Sequence, residues 1–283
     1  NAAQNIVDRV INMDGIIQAR SVVEKNGQII LSGGDAGEVS VTGTLDASGY
    51  GEGETGGTVH VLGEMLSFDG YGIIDISGDL GGGTLLFGGD YQGQGSVPNA
   101  TDVYVGSDTQ TFADAVTSGN GGKVIFWADR RMRFYGIVKG RGGQYFGDGG
   151  LVEVSGKEEL YFDGSVDTTA ANGKTGTLLL DPDSIFVEDG TGATASGAVT
   201  ATISVGTLEG LSSTTNIQLL ANNLIKFNNT SNINLQQGSG NSVTFTVTNG
   251  TISFASSTDT ISTNGGDIIF NATGDLTIGS LAS

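Results

Sequence analysis

The feature that most constrains this chain is a glycine-punctuated rhythm of very short apolar runs. It is clearest from Gly147 to Asp181. There Leu151-Val152-Glu153-Val154 alternates, Gly156 turns the chain, Leu160-Tyr161-Phe162 follows, and Gly164 leads into Ser165-Val166-Asp167-Thr168. Gly173 to Gly176 then turns the chain again into Thr177-Leu178-Leu179-Leu180. Strands this short cannot bury a face alone and need neighbours built the same way.

The neighbours are present in the chain. The beat Gly, any residue, aliphatic, any residue, aliphatic or aromatic opens at Gly37, Gly57, Gly83, Gly122, Gly150, Gly176 and Gly266. The first six of these glycines lie 20, 26, 39, 28 and 26 residues apart. A second beat reads Leu45-Asp46-Ala47-Ser48, Ile74-Asp75-Ile76-Ser77 and Val166-Asp167-Thr168-Thr169, with looser copies at Ile17-Gln18-Ala19-Arg20 and Val138-Lys139-Gly140-Arg141. Repeats of this length signal a solenoid. Two or three strands per repeat predict an all-β chain, a parallel β-helix of roughly a dozen coils about 4.8 Å apart.

The 39-residue interval predicts a loop insertion near residues 90–118. On the same alignment Leu86, Ile125 and Leu179 fall in the outward slot held elsewhere by Ser40, His60 and Glu153. Outward aliphatics need cover, so the insertion is expected to pack over Leu86 and Ile125.

Composition divides the chain near Asp181-Pro182-Asp183. Residues 1–183 carry 25 acidic and 11 basic side chains, and residues 184–283 carry six and one. The first part reads as a Gly-rich β-helix. The second reads as its Ser/Thr/Asn-rich continuation, with runs such as Asn216-Ile217-Gln218-Leu219 and Ser242-Val243-Thr244-Phe245-Thr246-Val247. A net charge of −19 argues against nucleic acid as a partner, because phosphate binding needs basic density. With no Cys there is neither a disulfide framework nor a thiolate metal site. No apolar run reaches the length of a membrane helix. The chain begins mid-pattern at Asn1 and reads as a fragment or a processed product.

Four groups of residues bear on function. Asp46 and Asp75 hold equivalent slots, which predicts either an oxygen-ligand site for Ca²⁺ or, more plainly, solvated carboxylates at a turn. Trp127, Arg130, Arg131, Arg133, Tyr135, Lys139 and Arg141 form the one basic cluster, with Phe134, Tyr145 and Phe146 interleaved. That mixture could bind an acidic or carbohydrate polymer through stacking and cation–π contacts, or dock a second copy. The plainer reading has the aromatics covering the core and the arginines solvated over them. Asn99, Asn228, Asn249 and Asn271 open formal glycosylation sequons. His60, the one histidine, stands in an ordinary outward slot, and no carboxylate pair lies in an acid–base motif, so no catalysis is expected.

Several stretches resemble the filamentous-haemagglutinin-like exoproteins of bacterial two-partner secretion. They are Gly15-Ile16-Ile17-Gln18-Ala19-Arg20-Ser21, Gly43-Thr44-Leu45-Asp46-Ala47-Ser48-Gly49, Gly121-Gly122-Lys123-Val124-Ile125-Phe126-Trp127-Ala128-Asp129 and Asn172-Gly173-Lys174-Thr175-Gly176-Thr177-Leu178-Leu179-Leu180-Asp181-Pro182. The resemblance covers about residues 1–183. It implies a secreted, right-handed β-helical surface adhesin or filament shaft, exported through a partner β-barrel in the outer membrane. This stretch would follow the secretion domain. A self-assembling extracellular fibre is the alternative, and a polysaccharide lyase or glycosidase on a β-helix ranks third.

Overall fold

The computed structural model describes residues 10–18, 27–34, 36–191, 201–211, 213, 215–228, 230 and 232–282. The copy predicted at Ala19-Arg20 and the sequon residue Asn229 lie outside them. The chain is all-β and its sheets are parallel. From Glu38 to residue 180 each strand pairs with the strand three before it, so three sheets are laid down in rotation, an arrangement consistent with a parallel β-solenoid.

The first sheet holds Val10–Met13, Glu38–Val41, Met65–Phe68, Asp102–Val105, Arg131–Phe134 and Glu159–Phe162. The second holds Ile16–Gln18, Thr44–Asp46, Ile73–Asp75, Gln110–Phe112, Ile137–Lys139 and Ser165–Asp167. The third is nine strands deep, from Gln28–Ser32 to Asp267–Ala272, and crosses Asp181-Pro182-Asp183 without a break. At about 4.8 Å per strand it is on the order of 40 Å long, shorter than a dozen coils would give.

Alternation within each strand sends one side chain inward and the next outward. Val59, Leu85, Val124, Val152 and Leu178 fill one inward row of the third sheet, all fully buried. Phe87 and Phe126 of that sheet meet Phe134 and Phe162 of the first in a ring stack with centroids 5.2 to 5.6 Å apart. Offset and edge-on contacts of this kind add to the area they bury.

The glycine beat has a steric cause. A Cβ on Gly150 would lie 2.3 Å from the Gly122 carbonyl oxygen, and one on Gly176 would lie 2.1 Å from that of Gly150. Gly57 and Gly83 are stacked in the same column. The coils approach so closely at this corner that no side chain fits between them. One member of the beat lies on a different sheet from the rest: Gly37 opens a first-sheet strand, whereas the third-sheet strand of that coil is Gln28–Ser32, opened by Gly27. Alternating aliphatics look the same on either sheet, so spacing alone did not separate them.

The insertion is also shorter than predicted. Asp102–Val105 and Gln110–Phe112 are regular rungs, so the extra residues are confined to 88–101. A second irregular coil follows residue 183. There Ala201–Ser204 lies between Glu159–Phe162 and Ser184–Glu188, so the later strand is laid inside the earlier one. The six-residue helix Val205–Gly210 then packs beside Asn232–Gly238, with Ser204 Oγ accepting from the Thr207 N–H at 3.1 Å. Beyond it the rungs resume as Leu224–Asn228 and Thr251–Phe254 on one sheet and Asn232–Gly238 and Thr260–Asn264 on another.

Candidate functional site: a strapped flank and an arginine groove

The outward row of the third sheet runs His60, Leu86, Ile125, Glu153, Leu179, Gln218. Three aliphatics and a carboxylate in one solvent-facing row require a cover. Residues 88–101 form it, a strap laid across the sheet. Leu86 and Ile125 are 5% and 0% exposed, and with Trp127 they form a second apolar cluster against Val97 of the strap. The expected cover over Leu86 and Ile125 is therefore present.

Polar contacts fasten the strap at several points. Lys123 Nζ donates to Asp90 at 2.6 Å. Asn99 Nδ2 and Trp127 Nε1 both donate to Asp129 Oδ1, at 3.0 and 2.9 Å. At the strap's centre the Gln92 N–H donates to both Glu153 oxygens, at 3.1 and 3.0 Å, and its side-chain amide donates to Asp181 at 3.0 Å. Gln92 takes a φ of 56°, the one non-glycine in the left-handed region among the described residues. Gly93 beside it has a φ of 63°, and a Cβ there would stand 2.4 Å from the Trp127 ring. The strap thus seats backbone directly on the indole.

Glu153 is fully buried. Burial pushes its carboxyl up to about 7 against the pull of the Gln92 N–H, and Asp181 adds to the rise. Burial pushes Asp181 up to about 6, with Asp183 adding to it. A polar cleft of about 500 Å³ opens beside the strap among Gln92, Asn99, Asp129, Lys157, Asp181 and Asp183. Asp129 and Asp181 are both engaged in holding the strap. Neither Gln92 nor Asp181 stands in a sequence pattern that points to a site. The available signal was Glu153, a carboxylate aligned with three aliphatics.

The basic cluster is divided among the sheets. Trp127 belongs to the third sheet and is buried beneath the strap. Arg130, Arg131, Arg133 and Tyr135 lie on or beside the first sheet, and Lys139 and Arg141 on or beside the second. Most of these cations already have partners. Arg130 pairs with Asp102, Arg131 with Glu159 at 2.6 Å, and Arg141 with Asp114 at 2.6 Å. Lys139 lies over the Phe112 ring, 5.6 Å from its centroid. Arg133 has no carboxylate partner among the described residues and lies 5.7 Å from the Tyr161 ring centroid. Tyr104 and Tyr135 flank it, their centroids 6.1 Å apart. Past Tyr104 the outward row that begins at Arg133 falls to Ser67 and Ser40, and the step leaves a groove of about 370 Å³ walled by Met65, Tyr104 and Arg131.

Asp46 and Asp75 are in register on adjacent coils, as their equivalent slots imply. Each closes a turn. Asp46 accepts from the Ser48 N–H and hydroxyl at 3.0 and 2.6 Å, and Asp75 from the Ser77 N–H at 3.0 Å and the Tyr50 hydroxyl at 2.7 Å. No group of three or more His, Cys, Asp or Glu side chains that could hold a metal ion occurs among the described residues. No helix among them is long and apolar enough to cross a membrane. Of the sequon residues, Asn99 has its amide held by Gly93 and Asp129. No family model matches the chain, and no curated protein matches it at a significant level.

Proposed function

We propose that this chain is a length of shaft from a secreted bacterial surface adhesin or filament, without catalytic activity. The observation that carries this reading is the outer surface of the stack. Among the described residues its arginines are largely paired with carboxylates of neighbouring coils, and it presents shallow grooves on a continuous core. A right-handed winding fits the strong preference for right-handed crossovers between parallel strands. The resemblance in residues 1–183 supports export through an outer-membrane partner. The carboxylates of the flank cleft support the same view, since Asp129 and Asp181 hold the strap.

The binding surface in this reading is the first-sheet groove. Arg133 supplies a guanidinium that has no carboxylate partner among the described residues and lies over Tyr161, Tyr104 an aromatic face and Ser40 and Ser67 a bonded pair of hydroxyls, with Glu38 and Asp102 on the same wall. That combination fits a saccharide carrying a carboxylate. The test is a glycan array with the purified protein. Binding to carboxylated saccharides that is at least tenfold weaker in Arg133→Ala supports the groove. Equal binding by the variant removes it, and cleavage of any polysaccharide overturns the non-catalytic shaft.

One observation favours the second reading, a self-assembling fibre. Tyr50, Leu80, Val116, Tyr145 and Phe146 are 44 to 66% exposed along one corner of the stack. Their loops are bonded coil to coil, the Val116 N–H to Gly78, the Tyr145 N–H to Thr117 and the Gly119 N–H to Phe146. A contiguous exposed apolar ridge is a mark of association.

A further inference from the structure

The strap is fastened at its centre through a single residue. Gln92 holds Glu153 with its backbone and Asp181 with its side chain. Those carboxyls come from neighbouring coils, and Glu153 is wholly out of water. Beneath the same strap lie the apolar side chains Leu86, Ile125 and Trp127. We propose that residues 88–101 are a proton-fastened cover, closed while the Glu153–Asp181 pair carries a proton and released as the pair ionises, which bares the Leu86–Ile125–Trp127 strip. This inference is independent of the shaft reading.

The groups facing the pair are few. Lys123, on the neighbouring coil, favours the ionised form, but its ammonium is bonded to Asp90 of the strap. Tyr91 of the strap has its hydroxyl pushed up by burial and by the charges of Glu153 and Asp181. Asp183 raises Asp181 further. His60 faces Asp90 rather than the pair, and burial lowers it. The Gln92 N–H and Ser155 favour ionised Glu153, and the Gln92 side-chain amide favours ionised Asp181. Burial outweighs these opposing groups, and the carboxyl of Glu153 sits above its ordinary value of 4.5 at about 7.

The sign follows from linkage. A carboxyl raised in the closed state binds its proton more tightly there than when the strap is open. Its contribution to closure is complete below about 4.5 and is lost as pH rises through about 7. One linked proton weakens closure by up to about tenfold per pH unit across that window. The Lys123–Asp90 pair works in the opposite sense, because Asp90 is lowered, but it is lost only below the ordinary carboxylate range.

Trp127 is the chain's single tryptophan and lies under the strap, so it reports on closure. The experiment is acrylamide quenching of its fluorescence from pH 5.5 to 8.5, with far-UV circular dichroism followed in parallel. The expected result is at least a twofold rise in the quenching constant that develops below about pH 7 and levels off above it, with unchanged dichroism. Glu153→Gln should hold the constant low and flat. A flat titration in the unmodified protein overturns the proposal, and so does a full rise that persists in Glu153→Gln. If that variant does not fold, Asp181→Asn takes its place and should reduce the rise. An unchanged rise there also overturns the proposal.

Discussion

A single atom decides whether the coils can stack at the third-sheet corner. Gly122, Gly150 and Gly176 stand one above another, and a Cβ on any of them would enter the carbonyl of the coil beneath. Gly150→Ala should therefore cost roughly 1–3 kcal/mol, the range of an overpacked core. Gly210→Ala is the control, since nothing lies within 4 Å of a Cβ there. It should shift stability by no more than about 0.5 kcal/mol, as surface changes do. Urea midpoints for the two variants check both statements, and equal midpoints would remove the steric account. The same scale explains the acidic beat. Asp46, Asp75 and Asp167 recur because a carboxylate two residues before a Ser or Thr caps the corner through the following N–H, at 3.0 Å in each case.

At the scale of elements, the strap is the one long connection between the third and first sheets in its part of the chain. Neighbouring coils make the same passage with two residues, Gly63-Glu64, Asp129-Arg130 and Lys157-Glu158. The strap is thus not needed to continue the winding. Its role is to cover Leu86, Ile125 and Trp127. Replacing residues 90–99 by a two-residue turn should leave the strand content unchanged by circular dichroism. It should raise binding of an apolar dye several-fold, because an aliphatic and aromatic strip then faces water. Unchanged dye binding would mean that another segment covers the strip. The irregular coil at Ala201–Ser204 and Val205–Gly210 interrupts only two sheets, which is why the third runs on as one support.

At the scale of the molecule, the acidic surface and the apolar corner ridge act in opposite directions. A net charge of −19 repels copies from one another, and salt screens that repulsion. If the ridge is a lateral contact, association should increase with ionic strength. The double variant Tyr145→Ser/Phe146→Ser should then stay monomeric at every salt concentration. Sedimentation velocity separates the cases, and salt-driven association retained in the double variant would place the contact elsewhere on the stack.

The sequence by itself determined the all-β class, the short strands, the corner glycines and the need for a cover over Leu86 and Ile125. Each of these follows from local alternation or from a residue type repeated at one place in every coil. It did not determine which sheet each run joins, because Gly37-Glu38-Val39-Ser40-Val41 and Gly57-Thr58-Val59-His60-Val61 carry the same pattern and lie on different sheets. The basic cluster was contiguous in the chain but was divided among three faces, since a winding chain turns a corner within a few residues. Trp127 therefore ended beneath the strap while Arg133 remained in the open groove. The meeting of Gln92, Glu153 and Asp181 was settled by tertiary structure alone. Residues 61 and 89 positions apart come together only because successive coils stack side chains in register and the inserted strap crosses them.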